Sequence, residues 1–308
     1  MTIESAQVVY VVAPSGTGKS FTGDYLHVVH GFKHVDGDGP LKNCAVPKYG
    51  EMVKKLFTAD KQPNPKEFWS PYFEEIARRT VDASKNHDKV VLTHATYQQE
   101  FREFVIEKIV EGGVSLEQIT VVELTMDQVV KLRGLYHRTK RQVELHGSTI
   151  EEFCQGYIEY EGDELTEEKY INAMVEKHRE DGGDRFGDFE DCPTAKKVDV
   201  SGRDISHCDN LDKALGLTRS GEDWTYETIC AEVLPLDEER DEEFAASGSM
   251  KAMEEILSAL DPTLAINEDE DEEEVKQMKK KRRSTIVQTK SWREHSLRKI
   301  DFETGDPF

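Results

Sequence analysis

Val8-Val9-Tyr10-Val11-Val12-Ala13-Pro14-Ser15-Gly16-Thr17-Gly18-Lys19-Ser20 is the stretch on which the rest of the chain depends. Its first five residues are β-branched or aromatic and form an unbroken apolar run, the pattern of a buried strand. The run ends in a small, glycine-bearing loop that closes on Gly-Lys-Ser, a phosphate-binding loop with Ala13 in the first glycine position. Gly16 and Gly18 let the backbone curl so that successive N–H groups converge on one anion. Ala13, Pro14, Ser15, Gly16, Thr17, Gly18, Lys19 and Ser20 are therefore the expected nucleotide cradle. Lys19 is placed to reach the β- and γ-phosphates, and the Ser20 hydroxyl to ligate Mg²⁺. Phe21, Tyr25, Val28 and Val29 then recur at helical spacing, so the loop lies between a strand and a helix.

Composition narrows the function classes. The 308 residues carry a net charge of −22 and are 37% hydrophobic. The acidic excess argues against nucleic acid and against an anionic membrane as partners. No apolar run is long enough to span a membrane, and the first residues lack a signal-peptide pattern. Cys44, Cys154, Cys192, Cys208 and Cys230 are far apart and form no C-x-x-C, so reduced thiols and a cytoplasmic location are expected.

Further strands alternate with helices along the chain. Gly31 to Pro40 reads as a second strand ending in Asp36-Gly37-Asp38-Gly39. In an open parallel sheet ligands bind beyond the carboxyl ends of the strands. One of these two carboxylates can then sit near Mg²⁺ while the other accepts a proton from an attacking hydroxyl. The plainer alternative is an Asp-Gly surface turn. His27, His30 and His34 span a helix end and a strand without a further Cys or His, which makes no zinc set. Trp69, Tyr72, Phe73 and Ile76 form an apolar helical stripe. Residues 89–94 and 119–124 are the third and fourth strands, and His94 lies at the active edge. A basic helix with Arg133, Arg138, Lys140 and Arg141 follows the fourth strand, as a lid over phosphates would. Tyr170, Ile171, Met174 and Val175 define another helix. Residues 197–200 form a short fifth strand, followed by a helix capped by Asp209 and ended by Gly216.

Together these motifs resemble the gluconate kinase and shikimate kinase group of P-loop small-molecule kinases. Leu56-Phe57-Thr58-Ala59-Asp60 with Trp69, and His94-Ala95-Thr96-Tyr97 with Phe101-Arg102-Glu103, are similar to segments of gluconate kinases. The likeness covers residues 7–217. It implies an α/β P-loop NTPase three-layer sandwich with a five-stranded parallel sheet. It also implies ATP and Mg²⁺ as cofactors and a small hydroxylated acceptor, such as a sugar acid or polyol. By position it assigns Asp36 and Ser20 to the metal. It assigns Asp38, His94 and Arg102 to the acceptor, and Lys19, Asp38, Arg133 and Arg138 to catalysis.

From Thr218 onward the character changes, and residues 218–308 read as an acidic, largely disordered tail. Residues 237–243 and 268–274 are nearly continuous acid, which stays solvated. Met250, Met253, Ile256, Leu257 and Leu260 give one amphipathic helix over 249–260. The basic cluster 279–283 is a candidate nuclear-import signal, and a protein partner for the tail is the expected use of such a segment. Two readings follow. The first is a kinase of a small metabolite. The second is a nucleotide-binding regulatory protein that works through its tail without phosphotransfer.

Overall fold

The computed structural model describes residues 6–57, 66–145, 149–154, 158–180, 189–202, 204–220, 223–260 and 276. The elements run β1 (Gln7–Val12), α1 (Lys19–His30), β2 (Lys33–Asp36), α2 (Gly39–Lys42), α3 (Pro47–Phe57), α4 (Lys66–Ser84), β3 (Lys89–His94) and α5 (Gln99–Glu111). They continue with β4 (Ile119–Thr125), α6 (Gln128–Leu145), α7 (Ile150–Cys154), α8 (Glu167–Glu180), β5 (Lys196–Asp199), α9 (Ile205–Leu215), α10 (Tyr226–Ala246) and α11 (Ser249–Leu260). The strands form one five-stranded sheet in the order β2-β3-β1-β4-β5. Every pairing is parallel, as expected for this class.

The chain divides into two compact units, residues 1–40, 69–131 and 186–242 in one and 41–68, 132–185 and 243–308 in the other. The first unit holds the sheet. Val9, Val11 and Ala13 face α1 and α9 with Tyr25, Leu26, Val91, Val122, Leu124, Cys208 and Leu211, all buried. Alternate residues point the other way, and there Tyr72 and Phe73 of α4 surround His94 of β3, each 5.6 Å from its ring. Phe73 also stacks on Phe101 of α5 at 5.0 Å. Helices thus cover both faces, which explains why the strands read as continuous apolar runs rather than alternating ones.

Two differences from the sequence reading lie in this unit. Asp204, not Asp209, caps α9: its side chain accepts from the Ser206 N–H at 2.8 Å. Asp209 lies inside the helix, where its carboxylate pairs with Arg219. Gly216 does end the helix, in the left-handed conformation at φ 68. The second difference is α10, a helix the sequence reading did not anticipate. Ile229 and Val233, spaced i and i+4, join the sheet core, so the chain re-enters that core beyond residue 217. The acidic run 237–243 is helical backbone with Glu239 and Glu243 exposed. The second acidic run and the basic cluster 279–283 lie outside the described residues.

Buried polar contacts fasten α1 to α9. The Tyr25 hydroxyl lies 2.7 Å from both Asp212 oxygens, and His30 Nε2 lies 2.8 Å from Oδ1. Arg219 Nε donates to Asp212 Oδ2 at 2.8 Å. Burial pushes the Asp212 carboxyl up, but the His30, Tyr25 and Arg219 contacts outweigh it and hold the group below its ordinary value.

The second unit is helical among the described residues. Leu132, Tyr136, Val143, Ile150, Cys154, Leu165, Tyr170, Ile171 and Met174 form its buried cluster. The expected helix 249–260 is α11, with Met253 and Ile256 buried. All five cysteines are free thiols. Burial pushes the Cys208 thiol up to about 12, as suits a packing residue rather than a nucleophile.

Candidate functional site

The loop after β1 is shaped by its own backbone. Gly16 and Gly18 sit at φ 82 and 88, a region closed to most side chains. Gly18 is the N-cap of α1, and its carbonyl accepts both the N–H and the hydroxyl of Thr22, at 2.9 and 3.0 Å. No acidic residue occupies the first turn of α1, so nothing there offsets the positive end of the helix. Lys19 folds back to donate to the Pro14 carbonyl at 2.8 Å, which brings its ammonium over the loop. Ala13 and Thr17 are buried and Ser20 is exposed. From outside the loop, the Ser15 N–H donates to the Tyr97 hydroxyl at 3.2 Å. His207 of α9 meets Thr22 Oγ1 at 2.9 Å.

The turn after β2 opens on the same sheet edge, because all strands run parallel. One strand, β3, separates β2 from β1, so the turn and the loop stand two strand spacings apart, roughly 10 Å. Asp36 Oδ1 accepts the Asp38 N–H at 2.9 Å, an Asx-type turn. Gly37 donates its N–H to the Thr93 carbonyl at 2.8 Å and accepts from the Tyr72 hydroxyl at 2.8 Å. A Cβ on Gly37 would lie 2.7 Å from both the Thr93 oxygen and His94 Cβ, so only glycine fits. Asp38 is 52% exposed, and His94 Nε2 faces its carboxylate at 3.7 Å while the imidazole itself is 1% exposed. Nδ1 of that ring meets Thr96 Oγ1 at 2.9 Å, and Thr96 in turn meets the Tyr10 hydroxyl at 2.6 Å. Burial pushes the Tyr10 hydroxyl far up, so it stays neutral.

The arginines are placed differently from one another. Arg102 is fully buried. Its Nε donates to the Thr96 carbonyl at 3.0 Å and one terminal nitrogen to the Tyr97 carbonyl at 2.6 Å and to the Glu190 carbonyl. Phe189 covers the guanidinium at 4.5 Å. In this geometry Arg102 shapes the loop that presents Tyr97 to Ser15. Arg133 lies exposed in the helical unit, its Nε donating to Glu167 Oε1 at 2.7 Å, with His137 on the other Glu167 oxygen at 2.7 Å. The side chain of Arg138 lies outside what the structure describes.

Ser20 and Asp36 offer hard oxygen donors, the kind Mg²⁺ takes. Among the described residues no group of three His, Cys, Asp or Glu is arranged to hold a metal. The donor set fits an ion held by one or two protein oxygens together with phosphates, rather than a closed protein cage. Sequence reading had marked the loop and both aspartates. It gave Tyr97, Thr93 and Tyr72 no site role; they reach Ser15 and Gly37 from distant parts of the chain.

No protein-family model matches the chain. No curated protein matches it significantly. Among solved structures it is similar to P-loop small-molecule kinases. A gluconokinase from Sinorhizobium meliloti 1021 shares 16% identity at TM-score 0.37 over 77% of this chain and 96% of its own. A sugar kinase from Janibacter sp. HTCC2649 shares 12% at 0.39, over 74% and 98%. A shikimate kinase from Bacteroides thetaiotaomicron shares 13% at 0.37, over 68% and 99%.

Proposed function

We propose that the chain is an ATP- and Mg²⁺-dependent phosphotransferase acting on a hydroxyl of a small metabolite such as a sugar acid or polyol. The observation that carries this reading is the pairing on one sheet edge of a glycine-shaped anion cradle with an exposed, buttressed carboxylate, Asp38. The cradle N–H groups and Lys19 hold the donor phosphates. Ser20 and Asp36 are the protein oxygens that would hold Mg²⁺, which neutralises charge on the β- and γ-phosphates when bound. Asp38 holds the acceptor hydroxyl in line and takes its proton as the new O–P bond forms and the bond to the β-phosphate oxygen breaks, releasing ADP. The buried His94 edge keeps the Asp38 carboxylate directed. The assignment of Arg133 and Arg138 to catalysis rests on the family resemblance alone, and Arg133 pairs with Glu167 within the helical unit.

The second reading is a nucleotide-binding regulatory protein without phosphotransfer, working through its tail. The inward engagement of Arg102 favours it, because that guanidinium faces backbone carbonyls rather than an acceptor. ADP release measured with gluconate, shikimate, nucleoside monophosphates and simple polyols separates the two. Acceptor-dependent ADP release is expected for a sugar acid or polyol. Tight ATP binding with no release stimulated by any acceptor would replace the kinase reading by the regulatory one.

A further inference from the structure

Beneath the two proposed metal-side oxygens lies a second set of contacts that the reaction scheme does not use. Asp24 of α1 is buried, and its Oδ1 lies 2.8 Å from His34 Nδ1. The same imidazole meets the buried Thr93 hydroxyl of β3 through Nε2 at 2.8 Å. With the carboxylate as acceptor, Nδ1 carries the proton and Nε2 accepts from the Thr93 hydroxyl, a tautomer assigned from the network. The ring occupies the space a side chain on Gly23 would fill: a Cβ there would come within 2.3 Å of Nε2.

The spacing of these residues links them to the metal side. Ser20 and Asp24 are i and i+4 on α1 and so share a helix face, one turn apart. His34 and Asp36 are i and i+2 on β2 and so share a strand face. Asp36 is registered against Thr93. A helical step of four residues rises about 6 Å. A strand step of two rises about 6.6 Å. The helix descends from the loop while the strand climbs toward the turn, so the two pairs stand as rungs. Asp24–His34 is the lower rung, closed by a hydrogen bond, and the same steps carry the chain on to Ser20 and Asp36 above it.

We propose that His34 is a positioning residue that sets the separation of Ser20 and Asp36, and with it the affinity of the site for Mg²⁺. This rests on the metal assignment under the proposed function. Mg²⁺ demands near-ideal octahedral geometry, so a rung that lengthens costs affinity. Loss of a partner bonded directly to a ligand typically weakens metal binding 10- to 100-fold, and His34 acts one contact further out, so an effect at the low end of that range is expected.

The test titrates Mn²⁺, as a paramagnetic probe for the Mg²⁺ position, onto the full chain with ATP, and measures ATP affinity in EDTA alongside. His34→Leu removes both hydrogen bonds and is expected to raise the Mn²⁺ concentration for half-saturation about tenfold, with metal-free ATP affinity changed less than about threefold. Gly23→Ala keeps every polar group but displaces the ring, and is expected to act in the same direction. Asp24→Asn keeps an acceptor for Nδ1 and is expected to stay close to the parent. Unchanged Mn²⁺ affinity in a folded His34→Leu or Gly23→Ala protein overturns the proposal, as does an equal loss of metal-free ATP affinity. Should His34→Leu fail to fold, the Gly23→Ala titration decides alone. A parent chain whose Mn²⁺ affinity ignores Ser20→Ala and Asp36→Asn would remove the metal assignment itself, a result separable from any effect at His34.

Discussion

The loop after β1 and the turn after β2 face the same solvent edge but are built by opposite means. The loop takes its shape from backbone: two glycines at positive φ, a helix N-terminus and a lysine folded onto its own chain. The turn takes its shape from side chains brought in from elsewhere. Tyr72 of α4 and Thr93 of β3 grip Gly37, and His94 faces Asp38. A self-shaped loop needs few partners, so its function is concentrated in its own residues. A turn shaped from outside transmits damage from distant positions.

That contrast has measurable edges. The largest effect is expected from Lys19→Ala, which removes the cradle cation both when phosphate binds and when charge develops. Turnover is expected to fall by at least about 10³-fold with the fold intact, read from ADP release and circular dichroism. Unchanged nucleotide affinity and turnover would remove the phosphate-loop reading. Asp38→Asn comes next. It keeps size and hydrogen-bonding reach but removes basicity, so turnover is expected to drop roughly 10²–10⁴-fold while ATP affinity holds. Loss of Mg²⁺-dependent ATP binding instead would mean that Asp36 and Asp38 have exchanged roles.

Two glycines then compare the regions on stability alone. Gly37→Ala must displace a backbone oxygen and a neighbouring Cβ, an overpacking cost of about 1–3 kcal/mol. Gly18→Ala meets only the edge of His207 at 3.3 Å, so its cost is mainly that of a left-handed residue, about 1–2 kcal/mol. Chemical denaturation of both variants should rank Gly37→Ala as the more damaging. The reverse order would mean that the turn yields more easily than its contacts indicate. The smallest effect is expected from Tyr72→Phe, which removes one hydrogen bond to Gly37 worth about 1 kcal/mol. In kinetics it should raise the acceptor KM more than the ATP KM. An equal change in both would show that the loop feels α4 as much as the turn does.

The loop, the Asp-Gly-Asp turn and all five strands were legible in the sequence because each is written in consecutive residues. Val8 to Val12 need no partner to be recognised as a buried strand, and Gly16-Thr17-Gly18 none to be recognised as a curl. His94 was legible at the active edge, but the grip of Tyr72 and Thr93 on Gly37 was not, because both meet the turn only through tertiary contact. Arg102 shows the limit from the other side. A motif placed it beside an acceptor, whereas burial and three carbonyl acceptors give it a shaping task within its own loop. Helix α10 was hidden by pattern: Pro235 lies inside it and its apolar residues, Ile229, Val233, Leu234 and Leu236 among them, keep no helical stripe, although Ile229 and Val233 are correctly spaced to dock. The cap of α9 was misread because Asp204 and Asp209 are the same residue type, and only geometry separates a cap from an exposed acid inside a helix.

The Tyr25–Asp212 contact joins residues 187 positions apart, near opposite ends of the sheet-bearing unit. The helix that carries the phosphate loop is therefore fastened late in the life of a growing chain. The chain across the 187 positions that separate Tyr25 from Asp212 must leave the ribosome before the contact can form. Until then the first strand and first helix wait without their last polar partners, in a topology of high contact order that folds slowly. The anion cradle is synthesised well before the residues that, by this wiring, secure its helix.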